Sequence, residues 1–281
     1  MHNPIIAIGA LGGSGTRAFA QILQEAGLFI GDELNESLDN LLFTRLFKDP
    51  KWHDRVSERG INRRLQIFIK IMQGEGLNTF ESLMLRNALR HNSTYPTGKE
   101  ELKKYSFSYL KKSATTQHKR WGWKEPNTQI FVESLLTSMP KLVYIHVLRH
   151  GLDMAFSSNT RQLQNWGHLY GIALTGTESE NEVAQKQLDY WIASTKRIVA
   201  LQEKFPKRIH LFKLEELCAK PTDTINLLLK ISRLKTNKDI GENLAKIPVL
   251  PASSNRYKSK DLGCFSKGQL DFVASMGYAI E

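Results

Sequence analysis

The 281-residue chain is 41% hydrophobic and 24% charged, an ordinary balance for a globular protein with a sizeable core. A solvated basic surface explains the net charge of +11 most simply; the alternative is an acidic partner such as a nucleotide, although no charge block is long enough for a nucleic-acid tail. Two distant cysteines exclude a disulfide framework, and no apolar run reaches the roughly 20 residues of a membrane span, so we expect a soluble, cytoplasmic protein.

The chain opens with a strand, a glycine-rich loop and a helix. The run PIIAIG (4–9) is short, β-branched and ended by glycine, which is typical of a buried strand. The run TRAFAQILQEAGLF (16–29) has apolar residues at helical spacing, and an acidic, turn-rich connection (31–40) follows it. This order of elements is typical of a nucleotide-phosphate loop.

The stretch from 41 to 118 has a helical pattern that is too long for a simple crossover between strands. It includes a basic amphipathic helix candidate, KEELKKYSFSYLKKS (99–113). We therefore predict a helical insertion over 41–118 that covers the top of a sheet.

The remaining segments alternate between strands and helices. Strands are predicted in RWGWKEP (120–126), KLVYIHVLRH (141–150) and the first half of RIHLFKLEEL (208–217). Helices are predicted over 151–159, over 179–204 and in the second half of 208–217. A loop-like tail begins at 251, and a short helix is predicted after it in SKGQLDFVASMGY. Such alternation predicts one α/β domain over 1–281, with a central parallel sheet flanked by helices.

The loop GGSGT does not match the Walker A motif of nucleotide-binding proteins. A Walker A loop requires glycine, lysine and then serine or threonine, and no glycine of this loop precedes a lysine. Gly12, Gly13 and Gly15 nevertheless allow the backbone to approach an anion closely, and Ser14 and Thr16 add hydroxyl donors. The alternative is a tight strand-to-helix turn in which the glycines serve packing alone.

A second candidate anion site follows the strongest strand. Arg149 lies at the end of that strand, and Ser157 lies eight residues further on, about two turns into a helix if 151–159 is helical. Ligands of open α/β sheets bind at the carboxyl ends of the strands, so Arg149 is expected to face the same crevice as the glycine loop. Its planar guanidinium suits a phosphate, although it could instead cap its own strand end.

These elements together resemble the sulfotransferases that use 3′-phosphoadenosine 5′-phosphosulfate (PAPS). GGSGT looks like their 5′-phosphosulfate loop, the spacing R-x(7)-S looks like their 3′-phosphate motif, and NRYK (255–258) is similar to their late loop that closes on the 3′-phosphate and adenine. The resemblance implies a P-loop NTPase-like topology in which the insertion 41–118 shapes the acceptor site. It also implies donor contacts from Gly12, Gly13, Ser14, Gly15, Thr16, Arg17, Arg149, Ser157, Arg256, Tyr257 and Lys258.

One residue departs from the family pattern. Many relatives have lysine or arginine before S-G-T, where it steadies the leaving oxygen, and this chain has Gly13. We predict that Lys124, at the end of the second strand, supplies that charge, with Arg17 as the alternative.

The resemblance implies in-line transfer of a sulfuryl group to a hydroxyl or amine of an unidentified acceptor, for which a carbohydrate or glycolipid is one candidate. Such transfer needs charge stabilisation and a general base but no metal. The base of relatives often comes from the region after the first helix, so Glu33 is the predicted base, with Asp32 and Glu125 as rivals.

The sequence also allows two other functions. A nucleotide-dependent kinase or NTPase with a degenerate loop is disfavoured, because the strand IHVLRH ends in arginine where a metal-binding aspartate would stand. A non-catalytic anion- or glycan-binding relative is supported by Gly13. Trp121 and Trp123 are expected either to stack on adenine or, more commonly, to pack in the core, and His146 is expected in the core.

Overall fold

The computed structural model describes residues 3–95, 97–98, 102 and 118–280. Within these residues lies one four-stranded parallel sheet, in which the strand that follows the insertion forms one edge and the first strand pairs with it. The strands, in sheet order, are β2 (Gly122–Lys124), β1 (Ile5–Ala10), β3 (Leu142–Leu148) and β4 (Ile209–Lys213). All four predicted strands and the parallel arrangement are confirmed.

Helices cover both faces of this sheet, which confirms the predicted α/β class. The helices before β2 are α1 (Thr16–Glu25), α2 (Leu41–Phe47), α3 (Pro50–His53), α4 (Glu58–Gln73) and α5 (Thr79–His91). Those after β2 are α6 (Thr128–Ser138), α7 (Gly151–Ala155), α8 (Arg161–Trp166), α9 (Glu180–Lys204), α10 (Leu214–Ala219), α11 (Pro221–Ser232), α12 (Lys238–Leu244) and α13 (Lys267–Ser275). Short 3-10 helices span Gly167–Tyr170 and Arg256–Ser259.

The sheet has a separate apolar core on each face, because successive side chains of a strand point to opposite sides. Ile6 and Ile8 of β1 pack in one core with Phe19 of α1. Ala7 of the same strand lies in the other core, together with Trp123. The near-complete burial of both sides of β1 explains its continuous apolar sequence.

The helical insertion packs on the face that carries the tryptophans. The ring of Phe43 in α2 stacks on Trp123 with centroids 5.4 Å apart, and Trp121 lies 6.2 Å from Trp123. Both tryptophans are at least 96% buried, so they form core and leave no ring face for adenine. The helical pattern is confirmed as far as His91; the candidate helix over 99–113 lies outside the described residues except at one position.

The helix after β3 is shorter than predicted. The sequence suggested helix over 151–159, but α7 ends at Ala155. The buried amide of Gln187, in α9, donates to the carbonyls of Ala155 and Ser157 over 2.8 and 2.7 Å. The backbone amide of Asn159 donates to the Ser157 hydroxyl over 3.2 Å, a local bond that competes with helix. Ser157 therefore lies in a loop.

The long helix α9 closes the tryptophan face, and its predicted apolar side is confirmed by the burial of Trp191 and Ile198. His146 of β3 is also buried there, bonded to the Tyr144 hydroxyl over 2.9 Å, and burial lowers its pKa to about 3. It is thus a neutral core histidine, as expected. Across the described helices, we find none whose length and apolarity suit a membrane crossing.

Candidate active site

The glycine loop joins β1 to α1 through two residues in the left-handed region. Gly13 has φ +91° and Gly15 has φ +83°, conformations that side chains with a Cβ rarely adopt. A Cβ on Gly15 would come within 2.6 Å of the Leu214 side chain. Gly15 caps α1 without a side-chain bond, so the first amides of the helix stay available to a ligand.

This loop forms one wall of a cavity of about 400 Å³ at the carboxyl ends of β1 and β2. Its other walls come from the acidic connection, the residues after β2 and the start of α8. The lining residues are Gly12, Gly13, Gly15, Thr16, Arg17, Asn35, Ser37, Asp39, Lys48, Tyr95, Lys124, Glu125, Pro126, Asn127, Asn159, Arg161 and Gln162. The predicted donor residues Thr16 and Arg17 therefore share a cavity with the predicted catalytic Lys124, whereas Ser14 is buried and does not line it.

Lys124 reaches this cavity from the last position of β2. Its side chain is only 2% exposed, and its ammonium donates to Asp39 Oδ1 over 2.5 Å and to the Ser37 carbonyl over 2.8 Å. Asp39 is more accessible, at 19%. The connection that follows α1 thus holds a buried cation in place beside the glycine loop.

Glu125 follows Lys124 and is the buried carboxyl group of the cavity. It is 2% exposed; its Oε1 accepts a bond from Asn127 over 2.8 Å, and its Oε2 has no hydrogen-bond partner within the described residues. Burial, with a smaller contribution from the charge of Asp39, raises its pKa to about 7, against the opposing charges of Lys48 and Lys124. The group is therefore able to exchange a proton near neutral pH.

Glu33, the predicted base, lies elsewhere. It accepts a bond from Arg45 over 3.0 Å and lines a separate small cavity of about 10 Å³ together with Asp32. The structure does not bring either carboxylate to the cavity of the glycine loop.

Arg149 connects the end of β3 to the glycine loop. Its guanidinium is buried, and Nη1 donates to the Gly13 carbonyl over 3.0 Å while Nη2 donates to the Ser253 hydroxyl over 3.0 Å. Its Nε is buried without a partner among the described residues. A fork that keeps one unused donor is suited to receiving an oxyanion.

The late loop packs against Arg149 through a shared carboxylate. Asp153 Oδ2 lies 3.6 Å from Arg149 Nη2 and accepts the backbone amide of Asn255 over 2.9 Å. Arg256 follows, and its pKa is lowered by burial and by the nearby positive charge of Arg149. Two guanidinium groups close enough to repel, with Asp153 as their nearby carboxylate, favour the binding of an anion.

Three other predicted donor residues are placed differently from one another. Tyr257 is buried and stacks on the ring of His150 with centroids 4.3 Å apart, so it belongs to the packing of the late loop. Lys258 is exposed. Ser157 lines a second cavity, of about 360 Å³, which it shares with Lys260 and not with the glycine loop.

Sequence reasoning missed several lining residues. Lys48 and Tyr95 come from the insertion, and Arg161 from the first turn of α8. None of them belongs to a motif; the packing of the insertion brings Lys48 and Tyr95 to the loop, and the position of α8 brings Arg161 there. Ser253 could have been found, because it lies two residues before NRYK.

Comparison with known proteins bears on the family and the fold. The model of the sulfotransferase family matches residues 4–237. A search of curated proteins finds no match.

Three solved structures share the fold over the whole chain. The sulfotransferase domain of the Synechococcus PCC 7002 olefin synthase has 15% identity and a TM-score of 0.53, covering 100% of this chain and 98% of its own. The sulfotransferase domain of the curacin biosynthetic pathway has 14% identity and a TM-score of 0.52, covering 100% and 99%. A Mycobacterium avium sulfotransferase has 14% identity and a TM-score of 0.50, covering 100% and 78%. The family match over residues 4–237, on this fold, shows that the chain belongs to the sulfotransferase family.

Proposed function

We propose that this chain moves a sulfuryl group from PAPS to a hydroxyl or amine of an acceptor. The observation that carries the proposal is the link between Arg149 and the glycine loop. That bond ties two anion-binding elements into one frame, each at a different strand end. A donor with phosphate groups at both the 5′ and the 3′ position needs two such elements, whereas a triphosphate needs one continuous loop.

The residues present fit such a donor. The amides at the start of α1, with the Thr16 hydroxyl, would hold the 5′-phosphosulfate. Arg149, whose Nε is unused within the described chain, and Arg256 would hold the 3′-phosphate. Ser157 would join them from the adjacent cavity, and Lys258 from the exposed side of the late loop.

We assign the proton transfer to Glu125 in preference to Glu33. In the reaction the bond from sulfur to the donor's 5′-phosphate oxygen breaks as a bond from sulfur to the acceptor oxygen forms, and the acceptor proton passes to Glu125 Oε2. This oxygen has no other partner among the described residues, and its carboxyl group has a pKa of about 7. Glu33, paired with Arg45 outside this cavity, stays a prediction that the geometry does not favour.

Lys124 and Arg17 are the proposed sources of positive charge at the leaving phosphate. The ammonium of Lys124 is fixed by Asp39 and the Ser37 carbonyl, so it needs little reorganisation as charge develops. Arg17 is exposed in the first turn of α1 and also lines the cavity. Lys124 is the better candidate, because its hydrogen bonds already fix the position of its ammonium, whereas the side chain of Arg17 is exposed to solvent.

The proposal extends to the role of the insertion 41–118 and to the location of the protein. Lys48 and Tyr95 of the insertion line the cavity, which supports a role for 41–118 in shaping the acceptor site. A cytoplasmic location agrees with two cysteines that form no disulfide.

Donor binding is the first test. Adenosine 3′,5′-bisphosphate, the product nucleotide, should raise the melting temperature well above the effect of equal ATP or GTP. A clear shift with ATP and none with the bisphosphate would refute the donor and favour a nucleotide-dependent kinase or NTPase.

Transfer itself needs a second experiment. Labelled PAPS should pass its sulfuryl group to members of an acceptor panel of sugars, lipids and phenols. Bisphosphate binding with neither transfer to any acceptor nor hydrolysis of PAPS would favour a non-catalytic relative.

A further inference from the structure

We propose that Lys48 and Tyr95 form a binding site for an anionic group of the acceptor. The substrate class is then a hydroxyl compound that already carries a phosphate, sulfate or carboxylate. This inference rests on the proposed sulfuryl transfer and specifies the acceptor of that same cavity.

The balance of charge in the cavity is the first argument. Lys124 is neutralised by its ion pair with Asp39. The other carboxyl group, Glu125, has a pKa of about 7 and carries only part of a charge at neutral pH. Arg17, Lys48 and Arg161 line the same cavity and form no ion pair with any residue in the described ranges.

These three cations lie on different walls. Arg17 is in the first turn of α1, next to the glycine loop. Arg161 starts α8, two residues after Asn159, whose amide would meet a Cβ on Gly12 at 3.3 Å. Both therefore stand beside the proposed site of the 5′-phosphosulfate. Lys48 follows the last residue of α2 in the insertion, and we assign it no role in binding the donor.

Lys48 is held in a built polar site. Its ammonium lies 3.1 Å from the Tyr95 hydroxyl. The buried side chain of Asn92 fixes both residues, because its Nδ2 donates to the Lys48 carbonyl over 3.3 Å and its Oδ1 accepts the Tyr95 amide over 2.6 Å. An ammonium and a hydroxyl on adjacent, tethered segments are suited to sharing one oxyanion.

The position of this site relative to the proposed base defines the acceptor. Lys48 and Glu125 line the same cavity. An acceptor whose hydroxyl reaches Glu125 would thus have its neighbouring substituent at Lys48. Charge complementarity favours an anion as that substituent.

Inorganic phosphate is the probe that tests this site. Adenosine 3′,5′-bisphosphate is titrated first, which measures its affinity and saturates the protein. Phosphate is then titrated calorimetrically into the saturated protein. The variants are Lys48→Met and Tyr95→Phe, with Lys51→Met as the matched control, because Lys51 is an exposed neighbour that does not line the cavity. Melting temperatures establish that each variant folds.

We expect Lys48→Met to weaken phosphate binding about tenfold or more and Tyr95→Phe about threefold, as for loss of a charged and a neutral hydrogen bond. Lys51→Met should bind as the wild type does, and all three should bind the bisphosphate normally. Unchanged phosphate affinity in Lys48→Met, or no phosphate binding by the wild type, overturns the proposal.

Two results separate this site from the donor site. Equal weakening of phosphate and bisphosphate binding in Lys48→Met would assign Lys48 to the donor and overturn the proposal. If the wild type does not bind the bisphosphate, the proposed donor fails, and the same comparison in nucleotide-free protein still decides whether Lys48 binds an anion.

Discussion

Arg149 donates a hydrogen bond from Nη1 to the main-chain carbonyl of Gly13 over 3.0 Å. The two residues are 136 positions apart, and the bond joins the ends of β1 and β3, which are adjacent in the sheet. Because Gly13 adopts a left-handed conformation, its carbonyl direction depends on a residue without a Cβ. The arginine therefore both positions the loop and offers its remaining donors to a ligand.

The substitution Arg149→Lys should weaken binding of adenosine 3′,5′-bisphosphate roughly tenfold or more, because lysine keeps the charge and loses the planar fork. Titration calorimetry measures the change, and circular dichroism checks the fold. Arg86→Lys, on the exposed side of α5, is the control and should bind normally. Equal affinity in Arg149→Lys would mean that the 3′-phosphate lies elsewhere.

The pH dependence of transfer should follow Glu125. The base acts as a carboxylate, so kcat/KM should rise with pH through about 7, the pKa of Glu125. Glu125→Gln should lower the rate by about 10²–10⁴-fold and abolish that rise. An unchanged profile in Glu125→Gln, alongside a loss of activity in Glu33→Gln, would restore Glu33 as the base.

The same residue should make stability depend on pH. The pKa of Glu125 is raised on folding from 4.5 to about 7, so the unfolded chain releases its proton first as pH rises. The fold then loses stability between these values, by about 3 kcal/mol above pH 7, and regains it below pH 4.5.

Thermal unfolding at two pH values measures this effect. Glu125→Gln removes the ionisation, so its melting temperature relative to the wild type should be higher at pH 8 than at pH 5. If the melting temperatures of Glu125→Gln and the wild type differ by the same amount at pH 5 and pH 8, burial does not destabilise the ionised carboxyl group.

The pair of Lys124 and Asp39 should respond unequally to the loss of either partner. Asp39→Asn leaves the ammonium buried with a carbonyl and an amide, and should cost about 3 kcal/mol of unfolding free energy. Lys124→Met leaves a carboxylate that is 19% exposed and should cost about 1 kcal/mol. Urea unfolding measures both.

For activity, Lys124 should matter most, although its loss costs less stability than the loss of Asp39. Lys124→Met should lower kcat while leaving bisphosphate affinity within about threefold, since the lost charge acts at the leaving oxygen. The double variant Asp39→Asn with Lys124→Met controls for stability and should be more stable than Asp39→Asn alone. Normal kcat in Lys124→Met would shift the role to Arg17.

Two loop glycines offer a matched comparison. Gly13→Ala introduces strain at φ +91°, and its Cβ would meet nothing closer than Met154 at 4.0 Å. Gly15→Ala introduces similar strain and also places a Cβ 2.6 Å from Leu214. We expect about 1 kcal/mol of destabilisation for Gly13→Ala and about 2–3 kcal/mol for Gly15→Ala, by urea unfolding. Equal costs would mean that Leu214 moves aside freely.

The strands were predictable because each carries its information locally. Within KLVYIHVLRH the run LVYIHVL is rich in β-branched and apolar residues apart from His146, as expected of a strand buried on both faces, and β3 spans Leu142–Leu148. The end of α7 was only partly predictable from local pattern. A local bond from the Asn159 amide to the Ser157 hydroxyl competes with helix, and Gln187, from a helix distant in sequence, bonds the carbonyls of Ala155 and Ser157.

The sequence by itself determined the elements of the proposed donor site: the glycine loop, Arg149 and the late loop carry their chemistry in short motifs. Only the tertiary structure decided which carboxylate and which cations meet there. Glu33 and Glu125 look alike in sequence, but the fold buries Glu125 in the cavity and pairs Glu33 with Arg45 outside it. A pKa, and hence a role in proton transfer, depends on burial and on neighbouring charges that are distant in the chain, so local pattern cannot specify it.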